Sequence, residues 1–332
     1  MKKINMAILG AGNIAGAMAK AISGIPEWVN AYAVAARDLE RAQSFAKEWG
    51  FAKAYGSYDE LVKDPQVDLI YVATPHSHHY EHAKLCLENG KATLVEKAFT
   101  ANAAQTADLI MISEEKHIFL QEAIWTRFIP AKDIVQKLLE DKVIGEPVSL
   151  FGEFSVPIAH VKRLTDPALA GGSLLDLGMY SLTFASMYFG DDIVEVSSKC
   201  EKYETGVDAT DDIYYTYRDG KTAHLRTSFV SGPFNEGTIE GTKGKIRVET
   251  LNNYTAIQVF DTEGKLTAEY PIPPQVNGYE YEVIASVKAL QAGEIETKEM
   301  THAETLEIMR QMDALRKEWG VIYPFPGENG TL

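Results

Sequence analysis

Ile4-Asn5-Met6-Ala7-Ile8-Leu9-Gly10-Ala11-Gly12-Asn13-Ile14-Ala15 decides how this chain is read. Ile4 to Leu9 is a short, mostly apolar run that stops at Gly10, and Ile14 to Ile22 is an Ala-rich stretch of helical character. Strand, tight turn and helix therefore follow in immediate succession. Gly10 suits the bend, Gly12 lets the backbone approach a pyrophosphate, and Ala15 keeps the helix close to the strand. The helix N-terminus then presents its unpaired N–H groups and positive dipole end to phosphates without any cationic side chain. Gly10, Gly12, Asn13, Ile14 and Ala15 are accordingly candidate contacts to a dinucleotide. A glycine turn of this kind also occurs without a ligand, so the flanking sequence has to carry the assignment.

Working outward, Met1-Lys2-Lys3 precedes a run too short for a signal peptide and reads as part of the first strand. Ala31 to Ala36 reads as a second strand and Leu39 to Trp49 as a helix, which completes a βαβ unit. An NAD-selective site places Asp or Glu at the end of that second strand, where a carboxylate meets the ribose 2′-hydroxyl. Ala36 and Arg37 stand there instead. A guanidinium matches a 2′-phosphate bidentately, and Arg41, one helical turn on, adds a second positive charge, so NADP is expected and NAD is the lesser alternative. Asp38 has two readings, a ribose contact or the N-cap of the following helix.

The alternation continues through a strand near Phe51 to Tyr55, a helix from Tyr58 to Lys63, a strand from Val67 to Ala73, and Thr74-Pro75. A helix from His79 to Glu88 and the turn Asn89-Gly90 lead into the strand Ala92 to Val95, which delivers Glu96 and Lys97 at its carboxyl end, the edge where open α/β sheets bind ligands. A sixth strand, His117 to Ala123, closes a Rossmann domain expected over residues 1–122. Residues 123–332 are expected to form a second, α+β domain with a large, mostly antiparallel sheet. Its helix Pro130 to Asp141 precedes the strand Pro147 to Val156, and the turns Asp219-Gly220 and Glu263-Gly264 each separate two β-like runs. Ala303 to Trp319 reads as an amphipathic helix.

Bulk properties agree with two domains, since 332 residues exceed one core at ~150 residues per domain. Thirty-two Lys and Arg against 47 Asp and Glu leave a net charge of -15, which repels nucleic acid and anionic membranes. No run reaches the ~18 apolar residues of a membrane span. Two cysteines, Cys86 and Cys200, form no disulfide framework or thiolate site, and a cytoplasmic location is expected. His76, His78, His79 and His82 cluster, but no carboxylate or thiol at ligand spacing joins them, so no metal is expected.

Within the second domain, Asp176 and Tyr180 follow Gly171-Gly172 and share a helical face at i and i+4. Spacing leaves each open: Ser173 to Asp176 also fits a capping box, and a buried Tyr is often core.

These motifs together resemble the glucose-fructose oxidoreductase, inositol dehydrogenase and MocA family over essentially the whole chain. The resemblance rests on Gly10 to Ala15, on Thr74-Pro75 with His79 four residues later, on Gly90-Lys91 with Glu96-Lys97, and on Gly171-Gly172 with Asp176 and Tyr180. Trp125-Thr126-Arg127-Phe128 and Tyr180, where many relatives carry His, make it most like the dimeric dihydrodiol dehydrogenases and NADP-dependent D-xylose dehydrogenases. The family's Glu-Lys-Pro reads Glu96-Lys97-Ala98 here, which removes a stiffening proline after the lysine.

The resemblance implies an enzyme that moves a hydride between nicotinamide and a sugar or cyclic diol. Tyr180 would be the proton carrier and Lys97 its activator, with Asp176 beside them; whether Lys97 carries the proton itself stays open. Thr74, Pro75, His76, His79, Glu96 and Lys97 would join the cofactor contacts. Trp125, Arg127, Phe128 and Phe154 would form a wall for the substrate, with simple packing as the alternative for each. A homodimer or higher homo-oligomer is implied through the large sheet. A non-catalytic NADP-sensing protein is the rival reading, against which the retention of Lys97, Asp176 and Tyr180 speaks.

Overall fold

The first unit of the chain supplies β1 (Ile4–Leu9), α1 (Asn13–Ser23), β2 (Val29–Ala35), α2 (Leu39–Trp49), β3 (Lys53–Tyr55), α3 (Tyr58–Val62), β4 (Leu69–Val72), α4 (His76–Glu88), β5 (Ala92–Glu96), α5 (Ala103–Lys116) and β6 (Leu120–Ala123). The structure is a computed structural model and describes residues 3–330 and 332; Met1 and Lys2, read above with the opening strand, lie outside the described residues. The six strands form one all-parallel sheet in the order β3-β2-β1-β4-β5-β6. That is the doubly wound order, with its switch point between β1 and β4. Strands covered by helices on both faces must be apolar throughout, and Leu69, Ile70, Tyr71 and Val72 are all fully buried.

Local chemistry sets the helix ends. Asp38 accepts the Glu40 N–H at 2.9 Å as the N-cap of α2, and Gly50 ends it with φ 75°. Gly10 has φ 108°, and a Cβ there would lie 2.8 Å from the Ala73 carbonyl oxygen. The turn after β1 therefore needs glycine because the end of β4 passes so close.

The division of the chain differs from the expected cut at residue 122. One unit contains the described residues up to Trp125 together with Gln275–Arg310 and Phe325–Leu332; the other is Thr126–Pro274 with Gln311–Pro324. The reason is packing. The helix Glu280–Ala292 buries Val283 and Val287, at i and i+4, in the same core cluster as Met18 and Ile22 of α1.

The second unit contains α6 (Ala131–Glu140), β7 (Pro147–Ser155), α7 (Lys162–Thr165), a π-helical turn at Leu174–Gly178, α8 (Met179–Phe189), β8 (Ile193–Lys202), β9 (Asp208–Tyr217), β10 (Thr222–Ser228), β11 (Phe234–Gly241), β12 (Gly244–Glu249), β13 (Ala256–Phe260) and β14 (Leu266–Tyr270). Helices α9 (Glu280–Ala292) and α10 (His302–Trp319) complete the chain. The eight strands run in the order β14-β13-β12-β11-β7-β10-β9-β8, antiparallel except where β7 meets β10. Leu150, Ile213, Leu225, Ile239, Ile246 and Ile257 turn to the buried face, and α8 packs on it. Gly152 and Gly237 are register partners on β7 and β11. A Cβ on Gly237 would lie 2.5 Å from the Phe184 ring, so this glycine pair is the seat on which α8 rests. Among the described residues no helix is long and apolar enough to cross a membrane.

Candidate active site

In the first unit, the predicted cofactor residues gather at the carboxyl edge of the parallel sheet. Gly10 follows β1, Arg37 follows β2 after Ala36, Thr74 and Pro75 follow β4, and Lys97 follows β5. Gly12 precedes α1 as its N-cap, and no side chain caps that helix. A Cβ on Gly12 would meet nothing within 4 Å, so its backbone is open to a ligand, whereas Ala15 is fully buried against the core. These residues fit a dinucleotide pyrophosphate on geometry.

Around the adenine end the side chains divide. Arg37 is exposed and lines a hollow of about 500 Å³ together with Ser57, Tyr58, Asp59, Glu81 and His82. Arg41 instead donates from Nε and Nη2 to the Ala11 carbonyl at 3.0 and 2.7 Å, which fixes the glycine loop. Asp38 caps α2 through Oδ1, which accepts the Glu40 N–H. His82 is largely buried: it contacts Thr74 Oγ1 at 3.0 Å and packs edge-on to Tyr58. Burial pushes its pKa down to about 4.

His79 and Glu96 are both buried, each held by hydrogen bonds within this unit. The His79 ring is fully buried between the carbonyl oxygens of Ala98, 2.7 Å from Nδ1, and Thr74, 2.6 Å from Nε2. It brackets the loops after β4 and β5. Burial, opposed by the two carbonyls, pushes its pKa down to about 4. Glu96 is 5% exposed; it accepts a hydrogen bond from the Tyr71 hydroxyl and, at 3.1 Å, the backbone N–H of Lys97. Its carboxylate thus anchors the lysine from inside, and Lys97 remains half-buried at the edge. The Lys97–Ala98 peptide is cis. Helix α4 begins at His76, three residues before the sequence reading placed it, because Pro75 serves as its N-cap. His76 is half-buried with its ring 5.7 Å from that of His79. Trp125 stacks on Tyr279, centroids 4.2 Å apart. No cluster able to hold a metal occurs among the described residues.

In the second unit, Asp176 and Tyr180 lie in the π-helical turn and the first turn of α8, and both are buried. Asp176 pairs with Arg163 at 2.7 Å, a partner the sequence reading did not find. Tyr180 packs against Phe154, centroids 5.6 Å apart, and Phe154 is only half-buried. The capping box read at Ser173 is not formed. Ser173 Oγ lies 2.9 Å from Thr227 Oγ1, and the Leu174 N–H donates to Asp208 on β9 at 2.6 Å. Arg127 and Phe128 are buried, at 6% and 7% exposure, and Arg127 donates to Ser186 Oγ at 2.9 Å.

Comparison with known proteins places these features. The family described as "Oxidoreductase family, NAD-binding Rossmann fold" matches residues 4–123, and the "GFO/IDH/MocA C-terminal domain" matches 134–247. The chain is 37% identical over 298 residues to trans-1,2-dihydrobenzene-1,2-diol dehydrogenase of Xenopus laevis, covering 88% of this chain and 90% of that protein. To the enzyme of the same name from Mus musculus it is 36% identical over 329 residues, covering 96% and 97%. A 3-ketoreductase from Actinomadura kijaniata, solved with NADP and TDP-benzene, shares the fold at TM-score 0.87 and 23% identity, covering 95% of this chain and 98% of that one. An aldose-aldose oxidoreductase from Caulobacter crescentus, solved with glycerol, does so at TM-score 0.85 and 21% identity, covering 96% and 98%.

Proposed function

We propose a function from one premise: the chain belongs to the glucose-fructose oxidoreductase, inositol dehydrogenase and MocA family of oxidoreductases. It is an NAD(P)-dependent oxidoreductase acting on CH–OH groups. The substrate class we assign is a vicinal or cyclic diol or a sugar, by analogy with the dihydrodiol dehydrogenases it resembles at 35–37% identity. The observation that carries the reading is the carboxyl edge of the parallel sheet, where the open Gly12 backbone, the exposed Arg37 and the anchored Lys97 follow β1, β2 and β5.

Arg37 supports NADP as the preferred cofactor, because a guanidinium at this strand end complements a 2′-phosphate and Ala36-Arg37 stand where an NAD-selective site places a carboxylate. The nicotinamide supplies the hydride acceptor. On the protein's side, the carbinol proton has to leave as the carbonyl forms, and we assign its acceptance to Tyr180 Oη. A phenol with pKa ~10 is a poor base at neutral pH unless a cation favours the phenolate, and by analogy with the family we assign that role to Lys97. Asp176, held by Arg163, orients the tyrosine's helical turn. Trp125 and Phe154 keep their assignment to substrate packing. The two free thiols, Cys86 and Cys200, support a reducing compartment such as the cytoplasm.

The outer sheet face supports association of copies: Phe151, Tyr214 and His224 lie side by side there, with Tyr214 stacked on His224 at 4.3 Å. We assign it to a homodimer, which light scattering after gel filtration tests.

A spectrophotometric screen of pentoses, hexoses and dihydrodiols with NADP tests the function. Reduction of NADP by at least one class is expected. Tight NADP binding without turnover across the panel would replace the enzyme with a cofactor sensor.

A further inference from the structure

The turn that launches Asp176 and Tyr180 is built from outside its own sequence. Gly172 has φ 131°, and a Cβ there would lie 2.3 Å from Asp208 Oδ1; a Cβ on Gly171 would lie 2.6 Å from the Leu164 carbonyl oxygen. Both glycines are therefore required by neighbours that press against the backbone. Asp208 is fully buried and its Oδ2 accepts the N–H of Leu174, the first residue of the π-helical turn. On the other side of the turn, the Tyr323 hydroxyl donates to the Gly171 carbonyl, and the Tyr323 ring lies under the Arg316 guanidinium at 4.4 Å. Arg316 is 2% exposed and ion-pairs with Asp313 at 2.6 Å. The turn is thus gripped at Gly171 by the chain's C-terminal segment and at Leu174 by β9.

We propose that Asp208 is a positioning residue for the reaction: by capping Leu174 it fixes the π-helical turn and, through it, the direction of Asp176 and Tyr180, with Tyr323 as its counterpart at Gly171. The proposal rests on the assignment of Tyr180 as proton acceptor. A turn left without its cap would let the helix start shift, and misplacement of a reacting group by ~1 Å costs on the order of 100-fold in rate. Asp211 is fully buried beside Asp208; burial and the neighbouring Asp208 push its pKa up, and burial pushes that of Asp208 up too, against the Leu174 N–H, which favours the carboxylate. The acceptor for the Leu174 N–H comes from β9, 34 residues away, and leaves no local signature in the sequence.

The test uses the full chain. Asp208→Ala removes the acceptor, and Asp208→Asn keeps an oxygen for the same N–H. Hydrogen-exchange mass spectrometry is expected to show residues 174–180 protected in wild type and in Asp208→Asn, and exchanging about tenfold faster or more in Asp208→Ala. With NADP and the best substrate of the screen, kcat is expected to fall roughly 10- to 100-fold in Asp208→Ala and to recover in Asp208→Asn, while the Kd for NADP stays within about twofold. Wild-type exchange and wild-type kcat in a folded Asp208→Ala would overturn the proposal, and so would loss of NADP binding in step with kcat. If the wild type turns over nothing, the proposed function fails on that result, and the exchange data still decide whether Asp208 fixes the turn. If Asp208→Ala does not fold, Tyr323→Phe takes its place, with faster exchange around Leu174 and lower kcat expected and no change in either overturning the scheme.

Discussion

The Arg41 guanidinium reaches back to the Ala11 carbonyl with two of its nitrogens, so the residue one helical turn beyond Arg37 belongs to the glycine loop as much as to any ligand. This separates two arginines that look equivalent in sequence. Arg41→Met frees the loop that any dinucleotide needs, so KM for NADP and for NAD is expected to rise together, by roughly 3- to 10-fold for ~1 kcal/mol of lost hydrogen bonding. Arg37→Ala removes the charge assigned above to the 2′-phosphate, which NAD lacks. KM for NADP is expected to rise about 10- to 100-fold with NAD little changed, as for a charge-assisted contact of ~1.5–3 kcal/mol. Steady-state kinetics with both cofactors measures this, and an equal effect of Arg37→Ala on the two would end the NADP assignment.

Lys97 and Tyr180 are assigned to the chemical step rather than to cofactor binding. Lys97→Met and Tyr180→Phe are each expected to lower kcat by roughly 100- to 10,000-fold, the range of a lost acid–base group. Fluorescence titration is expected to give a Kd for NADP close to wild type in both. Wild-type turnover in either variant would remove that residue from the mechanism.

Gly237 and Phe184 show how the sheet sets the height of α8. Phe184 follows Tyr180 by one helical turn, and its ring rests where a Cβ on Gly237 would come within 2.5 Å. Gly237→Ala therefore overpacks the seat, and a destabilisation of about 1–3 kcal/mol is expected, or a fall in Tm of several degrees. Because the displaced helix carries Tyr180, kcat is expected to fall as well, while NADP binding in the other unit is not. Differential scanning fluorimetry and steady-state kinetics read the two effects, and a Tm equal to wild type would show that the ring does not depend on this glycine.

Local signals made the first unit legible. Gly10 and Gly12, the apolar runs, and Lys97 at the end of β5 all act through neighbours in sequence, and the structure keeps them together at one sheet edge. Asp219-Gly220 and Glu263-Gly264 likewise marked hairpins because turn chemistry is local. What escaped depends on contacts distant along the chain. Val283 and Val287 belong to the core of a domain whose main run ended at Trp125, and nothing in their own helix says so. The burial of His79 and Glu96 reflects partners at Ala98, Thr74 and Tyr71, contacts that their own stretches of sequence do not announce. Asp208 capping Leu174 and Arg163 pairing with Asp176 are of the same kind.

Glu282 gives the fold a pH dependence of definite sign. It is fully buried, neither carboxyl oxygen has a hydrogen-bond partner among the described residues, and burial, reinforced by Glu96, Glu122 and Glu280, pushes its pKa well above 4.5. The folded protein therefore keeps this proton while the unfolded chain releases it near its ordinary value. Stability from this group is fully present below about pH 4.5 and declines as pH rises toward the folded-state pKa, because unfolding then releases a proton. Glu282→Gln carries no ionisable group and lacks that decline. Its Tm relative to wild type is expected to be higher at about pH 8 than at about pH 5, by an amount that grows steadily between the two. Thermal melts across that range measure it, and a Tm difference independent of pH would show that Glu282 is already ionised in the folded protein.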